Sequence, residues 1–207
     1  MKDYEKLSRE HFNKQAPEYD ANNSYYYSAA GKVSCHDTAA YLKPLHYASL
    51  LDVGCGTGYL LALLAEQKSA NYHGLDLAEE MIAVAQKKNI AGTSFVQGSA
   101  DNLPYENCRF DVVACIQSFH HYPYPDKAMQ EALRVLGQGG LYILSDTGIG
   151  GLGGWIDNTF LFPLLKSGDH HTENKQGVAR RMEKNGFEAV KAKTLKGFIY
   201  TVIGRKP

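Results

Sequence analysis

Three glycines spaced by two, set between an apolar strand end and an apolar helix, constrain this chain more than any other stretch. They lie in Leu50-Leu51-Asp52-Val53-Gly54-Cys55-Gly56-Thr57-Gly58-Tyr59-Leu60. Glycine allows backbone angles closed to other residues and lets the main chain lie against a ligand. The N–H groups that open the following helix face the same crevice. In a parallel α/β sheet that crevice lies beyond the carboxyl ends of the strands, where ligands bind. A dinucleotide fingerprint reads G-x-G-x-x-G, whereas this spacing is G-x-G-x-G, with Tyr59 next in line. Asp52, two positions before the first glycine, is poorly suited to a pyrophosphate and suits a ligand carrying an ammonium or hydroxyl donors.

The remaining pattern alternates strands with helices. Strands are expected at 50–53, 72–76, 93–97, 110–116, 141–145, 187–193 and 196–204, and helices at 57–67, 78–88, 126–136 and 172–185. Phe110 to Ile116 is a near-continuous apolar run, which reads as a strand buried on both faces. Gly137 to Gly140 should end the helix before it, as glycine does. The expected fold is α/β: a doubly wound, seven-stranded, mainly parallel sheet with the last strand antiparallel. Lys+Arg and Asp+Glu are equal at 22 each, so no net basic field points to nucleic acid or an acidic membrane. No apolar run approaches ~20 residues, so no membrane span is expected. The polar start, Met1 to Lys6, is not a signal peptide, and a soluble, cytoplasmic protein is expected. Four cysteines without a C-x-x-C pair read as reduced structural thiols, with no metal site.

Asp76 ends the second strand eighteen residues past Gly58, close to the ~20 expected for a ribose-binding carboxylate. Its carboxylate could hold both ribose hydroxyls, or could instead cap the next helix. Leu77 and Met81 could wall an adenine, although Met81 also reads as core. Gln117 and Ser118 end the buried strand over the crevice and would floor a ligand there. His120 and His121 follow; one could face a substrate as a polar group or base, and His121 is the better candidate. Adjacent histidines point in different directions, which argues against their serving one site together. Of three adjacent tyrosines, Tyr25 to Tyr27, at least one should face solvent or a pocket, and Tyr27 is a candidate substrate contact.

Asp52-Val53-Gly54-Cys55-Gly56-Thr57-Gly58 resembles the first motif of class I S-adenosylmethionine-dependent methyltransferases. Glu131 to Leu136 followed by Gly139-Gly140 is similar to that family's helix–turn–strand. The phrase His11 to Asp20 resembles the N-terminal segment of the ubiquinone/menaquinone-type group, which covers the cofactor and brings a tyrosine, here Tyr19, near it. The resemblance implies S-adenosylmethionine as cofactor, with Asp52 near its methionine end and Gly54, Cys55, Gly56 and Gly58 beneath it. It also implies that Ala100 and Asp101 meet the adenine. Methyl transfer to a small, partly apolar acceptor is then the expected reaction, by direct displacement. Two other readings stay open: a binding protein that keeps the cofactor without turnover, and a nicotinamide-dependent oxidoreductase. A single domain is expected, with a helical cap over 1–46, a cofactor core over 47–146, a lid over 147–171 and a final helix and strand pair over 172–207. Five glycines between Gly148 and Gly154 would hinge that lid, and Trp155 behind them is a candidate substrate contact.

Overall fold

The structure, a computed structural model, describes residues 3–21, 27–165 and 168–207; the side chains of Tyr27 and Ser28 lie outside that description. Seven strands form one sheet: β1 Ser49–Val53, β2 Asn71–Asp76, β3 Thr93–Gln97, β4 Phe110–Ile116, β5 Leu136–Thr147, β6 Glu188–Lys196 and β7 Ile199–Arg205. Their spatial order is β3-β2-β1-β4-β5-β7-β6. Neighbours run parallel except at β7, which is antiparallel to both β5 and β6. The chain order therefore reverses between β1 and β4, and a ligand crevice belongs beyond their carboxyl ends.

Both faces of the sheet are buried, so successive residues of the central strands enter opposite cores. Leu50, Val112, Ala114 and Ile143 pack with Leu42, Leu60, Leu61 and Leu64. These leucines come from helices α2 (Tyr27–Leu42) and α3 (Tyr59–Gln67). Leu51, Val113, Cys115 and Leu144 pack on the other face with Met129, Val135, Val178 and Met182. The latter belong to α5 (Pro125–Val135) and α7 (Lys175–Lys184). The remaining helices are α1 (Tyr4–Gln15), α4 (Glu79–Lys87) and α6 (Gly151–Ile156). Among the described residues, no helix is long and apolar enough to cross a membrane.

Three boundaries differ from expectation, each for a local reason. Helix α3 starts at Tyr59 rather than Thr57, because Gly58 precedes it in the left-handed region at φ 79°. Gly137 to Gly140 do not cap α5. They open β5, where Leu136 pairs with Phe110 before a register shift, and Gly139 donates its N–H to Lys206 O. The final strand pair turns at Gly197-Phe198 rather than Thr194-Leu195, and Gly197 takes φ 56°. The 147–171 stretch forms α6, a π-helical turn over Asp157–Leu161 and a 3-10 turn over Phe162–Leu164. Gly148 and Gly150 are small for packing: a Cβ on them would strike Glu173 O and the Asn174 side chain.

The glycines of the β1–α3 turn are not equivalent. Gly54 sits at φ 76°, and a Cβ there would meet Ser118 Oγ and lie 2.6 Å from Ser118 Cβ. Gly56 is at φ 53°, but nothing lies within 4 Å of its added Cβ. Gly54→Ala is therefore expected to lower stability by roughly 1–3 kcal/mol through overpacking and backbone strain. That is a fall of roughly 2–12 °C in melting temperature for a chain of this size. Gly56→Ala should keep to about 1 kcal/mol, the left-handed backbone cost alone. Thermal unfolding of both variants checks this, and equal losses would contradict the assignment of different roles.

Candidate active site

Strands β1 and β2 lie in register, with Asp52 opposite Gly74 and Val53 opposite Leu75. Their carboxyl ends thereby bring Asp52 and Asp76 to the mouth of the same crevice. The Leu75 carbonyl accepts from both Gly54 N (2.7 Å) and Cys55 N (3.0 Å), which folds the glycine turn back over β2. Asp76 accepts Gly56 N at 2.8 Å and Ala78 N at 2.9 Å. It therefore caps the turn before α4 and also braces the glycine loop. Each carboxylate oxygen accepts more than one hydrogen bond, so Asp76 retains capacity for a ligand's hydroxyls.

Asp52 is the more exposed to electrostatic conflict. It is buried, and its Oδ1 has no hydrogen-bond partner. Burial, aided by the neighbouring Asp76 charge, pushes its carboxyl up to about 8. Burial also raises Asp76, partly offset by backbone N–H bonds from Ala78, Gly56 and Leu77. An orphaned buried carboxylate at a cavity wall can take a cationic donor such as an ammonium.

These groups open on a cavity of about 1390 Å³, above the ~300–1,000 Å³ of a pocket for one small ligand. Of the residues singled out from sequence, Tyr19, Asp52, Gly54, Cys55, Gly56, Asp76, Leu77, Met81, Ala100, Gln117, Ser118, His120 and His121 line it. Gly58, Asp101 and Trp155 are not among the lining residues. An added Cβ at Gly58 would lie 3.0 Å from Phe95 Cζ, so its smallness serves helix–sheet packing. Asp101 instead accepts Ser99 Oγ at 2.7 Å and pairs with Lys127 at 3.2 Å. Trp155 is exposed and packs edge-on against Phe160. The Tyr25 and Tyr26 positions and the Tyr27 side chain lie outside the described residues.

Helix α1 lies along one wall of this cavity. Glu5 accepts Ser99 Oγ at 2.8 Å, and Asn13 Oδ1 accepts Glu80 N at 3.1 Å. Phe12 and Tyr19 pack on Ala78 and Met81. Asp20 fixes the segment's end, accepting Thr57 Oγ1 at 2.6 Å and pairing with Lys88 at 2.7 Å. Glu5, Ser99 and Asp20 also line the cavity and carried no distinguishing sequence signal. They are reached only through contacts across dozens of residues.

At the opposite end, a 3-10 turn over Phe119–His121 places the rings of His120 and His121 4.1 Å apart. Adjacent histidines do converge here, because the tight turn stacks rather than splays them. Asp146, at the carboxyl end of β5, accepts His120 Nδ1 at 2.7 Å and His120 N at 3.1 Å. Burial opposes protonation of His120, but the Asp146 charge and hydrogen bond outweigh it and raise its pKa. Burial and the neighbouring His120 lower that of His121. Asp169 stands within 3.4 Å of His121 Nδ1 and 3.7 Å of His120 Nε2. Sequence reasoning missed Asp146 and Asp169, since their roles depend on pairing with residues 26 and 48 positions away.

The Asp52 assignment has a consequence for the protein alone. Its carboxyl titrates near ~3.9 in an unfolded chain and near 8 when folded. The folded state then holds the proton more tightly, so this group's contribution to stability is full below pH ~4 and declines as pH rises towards ~8. Asp52→Asn should abolish that decline, which is at most on the order of 1.4 kcal/mol per pH unit. Denaturant unfolding between pH 5 and 8 reads it, and identical slopes in both proteins would contradict the buried, unpaired carboxyl.

The "Methyltransferase domain" family matches residues 51–144. A fatty-acid O-methyltransferase of Mycolicibacterium smegmatis is 40% identical over 113 residues, covering 54% of this chain and 41% of that protein. A phthiotriol/phenolphthiotriol dimycocerosates methyltransferase of Mycobacterium ulcerans is 38% identical over 116 residues, with the same coverage of 54% and 41%. The matched stretch thus spans about two fifths of these relatives' length. A methyltransferase solved with the Trm112 activator of Haloferax volcanii shares the fold with a TM-score of 0.80 at 17% identity, over 97% of both chains. S-adenosylmethionine is the cofactor that this family and fold imply. Residues 51–144, from β1 to β5, thus match a methyltransferase domain, and the sheet that holds them has the fold of S-adenosylmethionine-dependent methyltransferases.

Proposed function

We propose that the protein transfers the methyl group of S-adenosylmethionine to a small, largely apolar, lipid-like acceptor. One observation carries this reading: a single cavity joins the carboxylate-lined glycine turn to an apolar wall of Ile149, Leu161, Phe162, Leu165, Phe198 and Ile199. The first half suits the cofactor and the second suits an apolar chain. The fatty-acid and phthiotriol relatives act on acceptors of that kind by their names.

The cofactor, when bound, supplies an electrophilic methyl on a sulfonium. The chain's own residues bind, orient and exclude water. Asp52 would receive the ammonium, the backbone at Gly54 to Gly56 would support the cofactor, and Asp76 would take the ribose hydroxyls. Leu77 and Met81 would hold the adenine, and Tyr19 would cover it from the cap. Gln117 and Ser118 lie between the two halves. Residues 147–165 would form the acceptor's outer wall, with exposed Leu152, Trp155, Ile156 and Phe160 as the approach. Apolar burial on that wall contributes about 25 cal/mol per Å², enough to favour a long chain over a compact polar acceptor.

The test is release of S-adenosylhomocysteine from S-adenosylmethionine with a series of acceptors. A fatty acid of intermediate chain length should turn over at least tenfold faster than its two-carbon counterpart or a small primary amine, at equal concentration. Replacing Leu161 and Phe162 by Ser should raise KM for the long acceptor and leave cofactor affinity within about twofold. A preference for the small polar acceptors would sink the reading.

A further inference from the structure

We propose that His120 Nε2, His121 Nδ1 and Asp169 form a mononuclear site for a divalent transition cation such as zinc, with an open position towards the cavity. The function class rests on the reading just given, in which this end receives the acceptor; the binding site itself does not.

The argument begins with distance. His121 Nδ1 and His120 Nε2 lie 3.4 and 3.7 Å from Asp169 Oδ1. Those separations exceed a normal hydrogen bond. They match the edge of a tetrahedron around a cation with bonds of ~2.0–2.1 Å, which is about 3.4 Å. The candidate donor atoms of all three residues lie within 4.8 Å of one another.

His120 is also held in the tautomer that leaves the required lone pair. Asp146 accepts from His120 Nδ1 at 2.7 Å, so Nε2 remains the acceptor. A carboxylate behind a ligating imidazole, as Asp146 stands behind His120, is the usual outer support of a metal site. His121 Nδ1 has no hydrogen-bond partner and stands 3.4 Å from Asp169 Oδ1. His121 is buried with Nδ1 unpartnered, a costly arrangement that a cation would relieve.

Two nitrogens and one carboxylate make a borderline donor set that suits zinc, cobalt, nickel or iron better than calcium or magnesium. Three protein ligands leave a coordination position, as in sites that bind a substrate oxygen. His120 and His121 line the cavity together with Asp169, so that position faces the acceptor. An acceptor carboxylate or hydroxyl oxygen would occupy it, anchoring the polar head while the apolar chain lies along Leu161 and Phe162.

Cobalt(II) is the probe, because a four- or five-coordinate ion gives visible ligand-field bands. Chelator-stripped protein, with Cys108→Ser to remove the exposed thiol, is titrated with cobalt chloride without cofactor or acceptor. One equivalent should bind with these bands, and zinc should displace it. Asp169→Asn and His121→Gln should each weaken binding at least 30-fold. Whichever variant keeps the wild-type melting curve carries the comparison. Absent bands, or binding unchanged in a folded variant, would overturn the site. Cobalt binding by a protein that shows no preference for apolar acceptors would leave the site standing and remove only its assignment to a lipid-like acceptor.

Discussion

Two carboxylates, Asp52 and Asp76, sit buried at adjacent strand ends, and the architecture around them follows from that placement. Parallel pairing of β1 with β2 forces them together. Asp76 is stabilised by main-chain N–H groups from the glycine turn and from the start of α4. Asp52 Oδ1 has no such partner, and burial, with the Asp76 charge beside it, pushes its carboxyl up to about 8. A fold selected for stability alone would favour an apolar residue at Asp52. In the proposed reading, its partner is brought by the cofactor. The glycines answer the same constraint: Gly54 lets the turn pass under Ser118, and Gly56 leaves open space above the loop.

The N-terminal segment walls the cavity from outside the main core. It is held by one small apolar cluster, with Phe12, Ala16 and Tyr19 on Ala78 and Met81, and by distributed polar contacts. Glu5 meets Ser99, Asn13 meets Glu80 N, and Asp20 meets Thr57 and Lys88. Hydrogen bonds of this kind contribute about 1 kcal/mol each, whereas the strands are locked by two buried cores. At the other end of the cavity, the histidine turn, held by Asp146, forms a polar floor beneath an apolar wall.

Much of this was legible in the chain. The bounds of β3 and β4 follow from Thr93 to Gln97 and Phe110 to Ile116, where alternation or a continuous apolar run decides. That Asp52, Gly54, Gly56 and Asp76 come together at one cavity was legible because local spacing places them there. Three kinds of feature were not. Gly137 to Gly140 read as a helix stop, but pairing with the chain terminus drew them into β5. Gly148 and Gly150 read as a hinge, but contacts with Glu173 and Asn174 explain their size. Asp146 and Asp169 carried no pattern at all, and only the tight turn at Phe119–His121 reveals their partners. Local rules describe elements well and miss juxtapositions made by tertiary pairing.

The central claim is that the buried Asp52 carboxyl exists to meet the cofactor's ammonium. Isothermal titration of S-adenosylhomocysteine at pH 7, repeated in buffers of different ionisation enthalpy, reads the protons exchanged on binding. A carboxyl titrating near 8 in the cofactor-free protein and ionised in the complex should release close to one proton, and Asp52→Asn should bind more weakly with no release. Binding without proton release, or release unchanged in Asp52→Asn, would contradict the account.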